Sequence, residues 1–350
     1  MCFIIGQFIA AGVLAGLVSN ETQWAYRIPF AIQWFWPAVL VPVLWFAPDT
    51  PWHLVRVGRV DDAEKSLRRL RPSDTEEEIK EALGLVVFTN NLEQQLSVGT
   101  SYWDCFKRDE LRRTEIACMC FAGQIFSGLY FAYNSTYFFQ QIGLDSDATY
   151  RLNVGGNGMA LFACILSWFI VMPYVGRRTA YIIGTFVMGT ILYIIGALQT
   201  RGDNKSVAMV QAVLTLVWTF VFQLSAGQLG WALPAEIGST RLRQKTICLA
   251  RNAYAIFGVV AGVLQPYFMN PEEWNISGYV GFFWGTTAFL TCIWAYFRLP
   301  ETKDRTFDEL NLLFAKKVSA RHFKSHKIEA FENVDDEKTM HKVKTENSQV

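Results

Sequence analysis

Long runs of residues without a charge limit this chain's fold more than anything else in it. "MCFIIGQFIAAGVLAGLVSN" carries no charged side chain from Met1 to Asn20, and another run is unbroken from Ser206 to Ala235. A helix of about 20 apolar residues crosses the hydrocarbon of a bilayer. Backbone groups in lipid must be satisfied internally, so helices or closed barrels are the only options. These runs lack the alternation of barrel strands, which leaves helices. The first run has no basic stretch before it and no small-residue cleavage site after it, unlike a secretory signal. The net charge of +1 over 350 residues hides strong segregation, since charge-free runs alternate with short charged segments. That is the pattern of a polytopic membrane protein.

Eight runs reach spanning length: 1–18, 28–46, 114–138, 153–175, 179–199, 207–235, 246–269 and 277–297. The run through 207–235 is longer than a straight span needs, so it must tilt or bend. Lys and Arg in the loops set the sides. Loops 19–27, 139–152, 200–206 and 270–276 hold few, whereas the alternate ones are rich, for example in Arg56, Arg59, Arg68, Arg69, Arg112 and Arg113. Arg177 and Arg178, then Arg241, Arg243 and Lys245, continue the pattern. The bias alternates at every crossing and places the rich loops and both termini in the cytoplasm. Ala63, Leu67 and Leu70, and likewise Ile79, Leu83 and Val86, share faces of amphipathic helices in the inner loop. The charged, apolar-poor tail beyond about Lys324 reads as disordered.

Chemistry is scarce in the spans. No CxxC occurs among the seven cysteines, neither a histidine nor a pair of carboxylates lies within a span, and no P-loop is present. This argues against an enzyme, a metal centre, a cofactor and an ATP-driven pump, and nothing suggests nucleic-acid binding. Arg251 is a cation about one and a half turns into the seventh run, either functional or snorkelling to the inner face.

Two exits from the membrane match. The second run ends in Pro48-Asp49-Thr50 and the eighth in Pro300-Glu301-Thr302, on the same side and six runs apart. Proline stops the helix, and the acid can hold basic groups at the surface. The repeat suggests two six-span halves, with the loop 47–113 between them.

With these residues the chain resembles the sugar porter family of the major facilitator superfamily. The resemblance rests on "PDTPWHLVRVGR", "YVGRRTAYIIG", "PAEIGSTRLRQK" and "PETKDRTFDEL". "YRIPFAIQWFWP", "STYFFQQIGL" and "GYVGFFWG" bring it nearest to fungal maltose and α-glucoside permeases. It implies an all-α fold of twelve transmembrane helices, of which this chain lacks about the first four. Residues 1–46 would be the last two helices of the N-terminal half and 47–113 the central loop. Residues 114–298 would be the six-helix C-terminal half and 299–350 the tail. It also implies proton-coupled symport of a sugar by alternating access, in an integral protein of the plasma membrane. A non-transporting sensor on the same fold is the competing reading; a long signalling tail would favour it, and this tail is short.

A sugar site needs amides and hydroxyls for its OH groups and flat rings for its C–H faces. In "GQIFSGLYFAYNSTYFF", Gln124, Ser127, Tyr130 and Asn134 recur at three- and four-residue steps, mostly on one helical face. Gln124 and Ser127-Gly128 match the family's QQxSGxN; Ile125 and Tyr130 depart from it. In "SAGQLGWALPAE", Trp231 matches the family's site tryptophan, with Gln228 on about the same face; Gly227, Gly230 and Pro234 permit a bend. Asn252 and Tyr254 are further candidates. An inner-gate charge network is expected from Arg177, Arg178, Glu236, Arg243, Glu301 and Arg305, with Glu236 clamping Arg178 and Arg243. Where the family usually has an acid three residues before the glycine of GRR, this chain has Pro173.

Overall fold

The computed structural model describes residues 2–97, 101–107, 110–141, 145–201, 205–239, 242–270, 272–274 and 276–323. The tail beyond 324, expected to be disordered, lies outside the described residues. Among those residues every regular element is a helix.

The front of the chain forms α1 (Cys2–Leu17), α2 (Trp24–Gln33) and α3 (Phe35–Phe46). The last two are a single apolar path interrupted at Trp34, with Pro29 and Pro42 inside them. Three further helices follow on the charge-rich side: α4 (Pro51–Arg56), α5 (Val60–Leu70) and α6 (Glu76–Ser97). They share a small core of Leu54, Val55, Ala63 and Val86. Ala63, Leu67, Ile79 and Val86 are buried as their spacing predicts, whereas Leu70, at the last turn of α5, is exposed. Arg69 donates to the Phe46 carbonyl at 2.9 Å, capping the end of α3.

The run 114–138, expected as one span, is three helices: α7 (Leu111–Phe126), α8 (Leu129–Tyr133) and α9 (Ser135–Gln141). The break falls at Gly128, whose φ of 96° is a left-handed value that favours glycine. An interrupted helix leaves carbonyls that lipid cannot satisfy. Thr287 answers one of them, its hydroxyl donating to the Phe126 carbonyl at 2.6 Å.

The body continues with α10 (Ser146–Leu166), a π-turn at Ser167–Val171, α11 (Met172–Tyr174) and α12 (Arg177–Gln199). Then come α13 (Lys205–Leu224), α14 (Ala226–Ile237), α15 (Arg243–Met269) and α16 (Val280–Arg298). The bend expected near Gly227 and Gly230 is a break one turn earlier, at Ser225 (φ −125°, ψ −98°). Ser225 fits there because it faces Gly184 of α12, where a Cβ would lie 2.0 Å from its hydroxyl. Among the described residues six helical paths are long and apolar enough to cross a membrane: Trp24–Phe46, Ser146–Tyr174, Arg177–Gln199, Ser206–Ile237, Arg243–Met269 and Val280–Arg298. Of the other two expected spans, α1 is apolar but has 16 residues, and 114–138 is broken as described.

The main core gathers Phe131, Phe138, Tyr181, Leu192, Trp218 and Trp284 with their neighbours. Beyond α16 the chain turns back into α17 (Phe307–Ala315), started by a reciprocal cap between Thr306 and Glu309. Arg112 and Arg113 of α7 hold this segment. Arg113 donates to the Asn311 side-chain oxygen at 2.7 Å and lies 4.5 Å from the Phe314 ring, while Arg112 donates to the Val318 carbonyl at 2.7 Å. Two arginines that read as surface anchors in the sequence are thus a docking point for the last helix.

Candidate functional site

A cavity of about 890 Å³ opens between α1, α7–α10 and α13–α15. Its walls carry Gln124, Gln228, Trp231 and Tyr254 among the expected residues. Gln124 is 3% exposed, and its Nε2 has no acceptor among the described residues. A buried donor without a partner costs about 1–3 kcal/mol, and such groups mark places where a ligand or water belongs. Gly230 makes room for this amide, since a Cβ there would fall 1.8 Å from Nε2. Gln228 is held from the other side, donating to Cys164 Sγ at 3.2 Å and Gln223 Oε1 at 3.4 Å.

Trp231 presents an aromatic surface that is 55% exposed, buttressed edge-on by Phe121 at 5.1 Å. Arg251 also lines the cavity, with its guanidinium 4.6 Å from the Trp231 ring and 4.5 Å from Tyr254. It therefore does not snorkel to the inner face. Among the described residues no carboxylate forms an ion pair with it, and the ring faces supply its electrostatic partner.

The other expected residues lie elsewhere. Ser127 is fully buried and donates to the Gly123 carbonyl at 2.6 Å. Tyr130 packs against Gly258 and Gly262 of α15, and Asn134 donates to the Tyr130 carbonyl at 2.9 Å. Asn252 is exposed and is not part of the cavity wall. For Tyr130 and Asn134 the reason is Gly128: a helical period read across this left-handed residue does not carry on from Gln124, and Leu129, Ala132 and Tyr133 take the wall positions instead. Asn153, Asn157, Trp218 and Gln223 line the cavity and were not singled out in the sequence. Two asparagines four apart within an apolar run were the available signal for the first pair.

The charge cluster at the rich end has different pairings from those expected. Glu236 faces Arg177, at 3.6 Å, and accepts from the Thr302 hydroxyl at 2.5 Å. The arginine contact is an ion pair too long for a hydrogen bond. Arg178 instead donates to the Tyr296 carbonyl at 2.8 Å, and Arg243 lies over Phe307 at 4.1 Å. Glu301 accepts the Arg177 backbone N–H at 2.7 Å, and its carboxylate fills the space that a Cβ on Gly176 would need. Arg305 donates to the Phe323 carbonyl at 3.1 Å and pairs with Glu309 at 3.8 Å. Arg177 leads helix α12, so its side chain points back toward α14; one residue on, Arg178 faces α16. A second pair, Glu115 with Arg298, closes α7 against α16, and the Trp294 indole donates to Glu115 at 3.1 Å.

Comparison with known proteins agrees with this architecture. The family model for "Sugar (and other) transporter" matches residues 1–314. The maltose permease MAL31 of Saccharomyces cerevisiae is 38% identical over 337 residues, covering 95% of this chain. The alpha-glucosides permease MPH3 of the same yeast is 37% identical over 338 residues, again covering 95% of this chain. The chain spans about half the length of these relatives, 55% and 56%. Among solved structures, the major facilitator superfamily proton:xylose symporter XylE superposes with a TM-score of 0.65 at 21% identity. That match covers 89% of this chain and 65% of XylE, and at such identity it speaks for the fold. The helices and these matches together make this an all-α integral membrane protein, and the chain belongs to the family of sugar (and other) transporters.

Proposed function

We propose that this chain is the sugar-binding part of a proton-coupled α-glucoside or maltose transporter working by alternating access. The observation that carries the reading is the cavity that joins the unpartnered Gln124 amide to the exposed Trp231 face. An amide donor satisfies a sugar oxygen, and an indole face covers the C–H side of a pyranose ring. Gln228, Tyr254 and Arg251 complete the same wall. The similarity to permeases for maltose and α-glucosides supports an α-linked glucoside as the substrate, and the fold shared with a proton symporter supports proton coupling. Arg177, Glu236, Glu301 and Thr302 serve as the inner closure, their bonds parting when the cavity opens to that side.

The test is binding of radiolabelled maltose to the purified chain in lipid nanodiscs. Gln124→Ala and Trp231→Ala each weaken binding by about 1–2 kcal/mol, one hydrogen bond or one stacking face. Unchanged affinity in both variants would leave Gln124 and Trp231 as a polar seam between helices. The proposed orientation, in the plasma membrane with both termini inside, has its own check. Cysteines placed at Gln140 or Asn270 react with an impermeant thiol reagent from outside, and one at Arg178 does not; the reverse pattern inverts the sides.

A further inference from the structure

We propose that Asn153 and Asn157 of α10 form a second sugar-ring subsite that sets a preference for an α-linked disaccharide over a single hexose. The inference rests on the sugar reading above and deepens it. The cavity is long: α1 lines it from Phe3 to Leu14, about 16 Å of helix. The Gln124–Trp231 cluster occupies the part bounded by α7, α14 and α15. Gln228 meets α10 at Cys164, two turns and about 10 Å beyond Asn157. Along α10 the Gln228 contact and Asn157 are thus separated by more than the width of one pyranose ring, within one cavity.

The asparagines are pre-ordered. Asn157 Nδ2 donates to Asn153 Oδ1 at 2.8 Å and to the Asn153 carbonyl at 2.9 Å, and Asn153 Nδ2 donates to Thr136 Oγ1 at 3.0 Å. A side-chain amide has two N–H donors and one acceptor oxygen. With its nitrogen engaged, Asn157 keeps Oδ1 as the group available to a ligand hydroxyl. Polar side chains in membrane helices often serve as glue between helices. Here the bonds run within α10 and to α9, and among the described residues none reaches α1 or α13, the helices that pack closest on α10. Close packing there comes from glycine instead. A Cβ on Gly156 would fall 2.9 Å from Leu216 of α13, and one on Gly158 would fall 3.4 Å from Phe8 of α1.

A second observation points to a ligand. Trp218 of α13 lines the same cavity, is 1% exposed, and its indole N–H has no acceptor among the described residues. It is stacked on Phe222, with ring centroids 5.1 Å apart. An acceptor from Asn157 and a donor from Trp218 on the same cavity complement the hydroxyl groups of one pyranose ring.

The experiment compares maltose and glucose binding to the purified chain in nanodiscs by scintillation proximity. Asn157→Leu raises the maltose dissociation constant about 10-fold, or about 1.4 kcal/mol, and shifts that for glucose by less than about two-fold. Intact glucose binding shows that the variant is folded. Equal losses for both sugars, or no loss for maltose, overturn the second subsite and leave the first in place. Should Asn157→Leu bind neither sugar, Asn157→Ser decides: a kept preference for maltose supports the acceptor role, and its loss overturns it. An unsubstituted chain that binds neither sugar overturns the sugar reading and this proposal with it.

Discussion

Two stretches of comparable apolar character reach opposite situations. Trp24–Phe46 has a mean hydropathy of 1.5 and contains no buried residue, whereas Arg177–Gln199 has 2.0 and is 50% buried over its apolar length. Hydropathy does not separate the two; the size of their residues does differ. The sequence of α2 and α3 contains no Gly, Ser or Thr and carries five tryptophans and phenylalanines between Trp34 and Phe46 that are all exposed. By contrast α12 places Gly189 and Gly196 against Phe289 and Phe282 of α16, while Gly281 of α16 touches the Leu192 backbone. In lipid, apolar surface alone gives helices no reason to meet, because the tails are equally apolar. Close approach through small residues supplies the dispersion contact that lipid cannot match.

The comparison breaks most visibly at the seam. Gly281→Leu puts a Cβ 2.4 Å from the Leu192 carbonyl oxygen, a backbone atom that cannot move aside cheaply. A destabilisation of about 3 kcal/mol is expected from such overpacking. It is read as earlier thermal exposure of the buried Cys120 and Cys164 to a thiol-reactive dye in detergent. A loss under about 0.5 kcal/mol would show that glycine contact is not what joins α12 to α16.

A smaller effect is expected where the last helix docks. Arg113→Ala removes the bond to Asn311 and the cation on the Phe314 face, together about 2 kcal/mol of local stability. Trypsin then cuts at Lys316 or Lys317 sooner than in the unsubstituted protein, with the membrane body intact. Equal cutting rates would mean that α17 is held by its apolar face alone.

The smallest effect belongs to the front helices. Leu44 is 67% exposed in α3, so Leu44→Ala changes unfolding by no more than about 0.5 kcal/mol. A larger loss would mean that α3 is covered in the membrane by a surface outside the described contacts. That result would sharpen the contrast by giving α3 a packing role without glycine.

Local rules that the backbone obeys continuously were legible in advance. Leu67 and Val86 are buried as a 3.6-residue period requires. The bend in the run through 207–235 follows from its length, although its place is set by contact between Ser225 and Gly184, which are far apart in sequence. Gln124, Gln228, Trp231 and Tyr254 meet at one cavity because each lies on an uninterrupted helix from which its direction can be read. Tyr130 and Asn134 were assigned through Gly128, and its positive φ ended the period they depended on, whereas Ser127, one residue before it, turns its hydroxyl inward to the Gly123 carbonyl. Asn252 is one residue off the face that carries Arg251 to the cavity.

The sequence by itself determined the solvent, the helical class and the chemistry available. Charge-free length demands lipid, and lipid demands internal backbone bonds. What it left open was which polar groups share a space. Arg251 could have reached for the inner surface, and only the proximity of Trp231 and Tyr254 turns it into the cavity. Glu236 could have held any of three arginines. The direction of α12 from Gly176, with the Glu301 carboxylate filling the place of the missing Cβ, brings Arg177 to it and turns Arg178 to Tyr296. Charge and hydropathy act along the chain and can be counted there, but pairing depends on helix rotation and close approach, which arise only when distant segments pack.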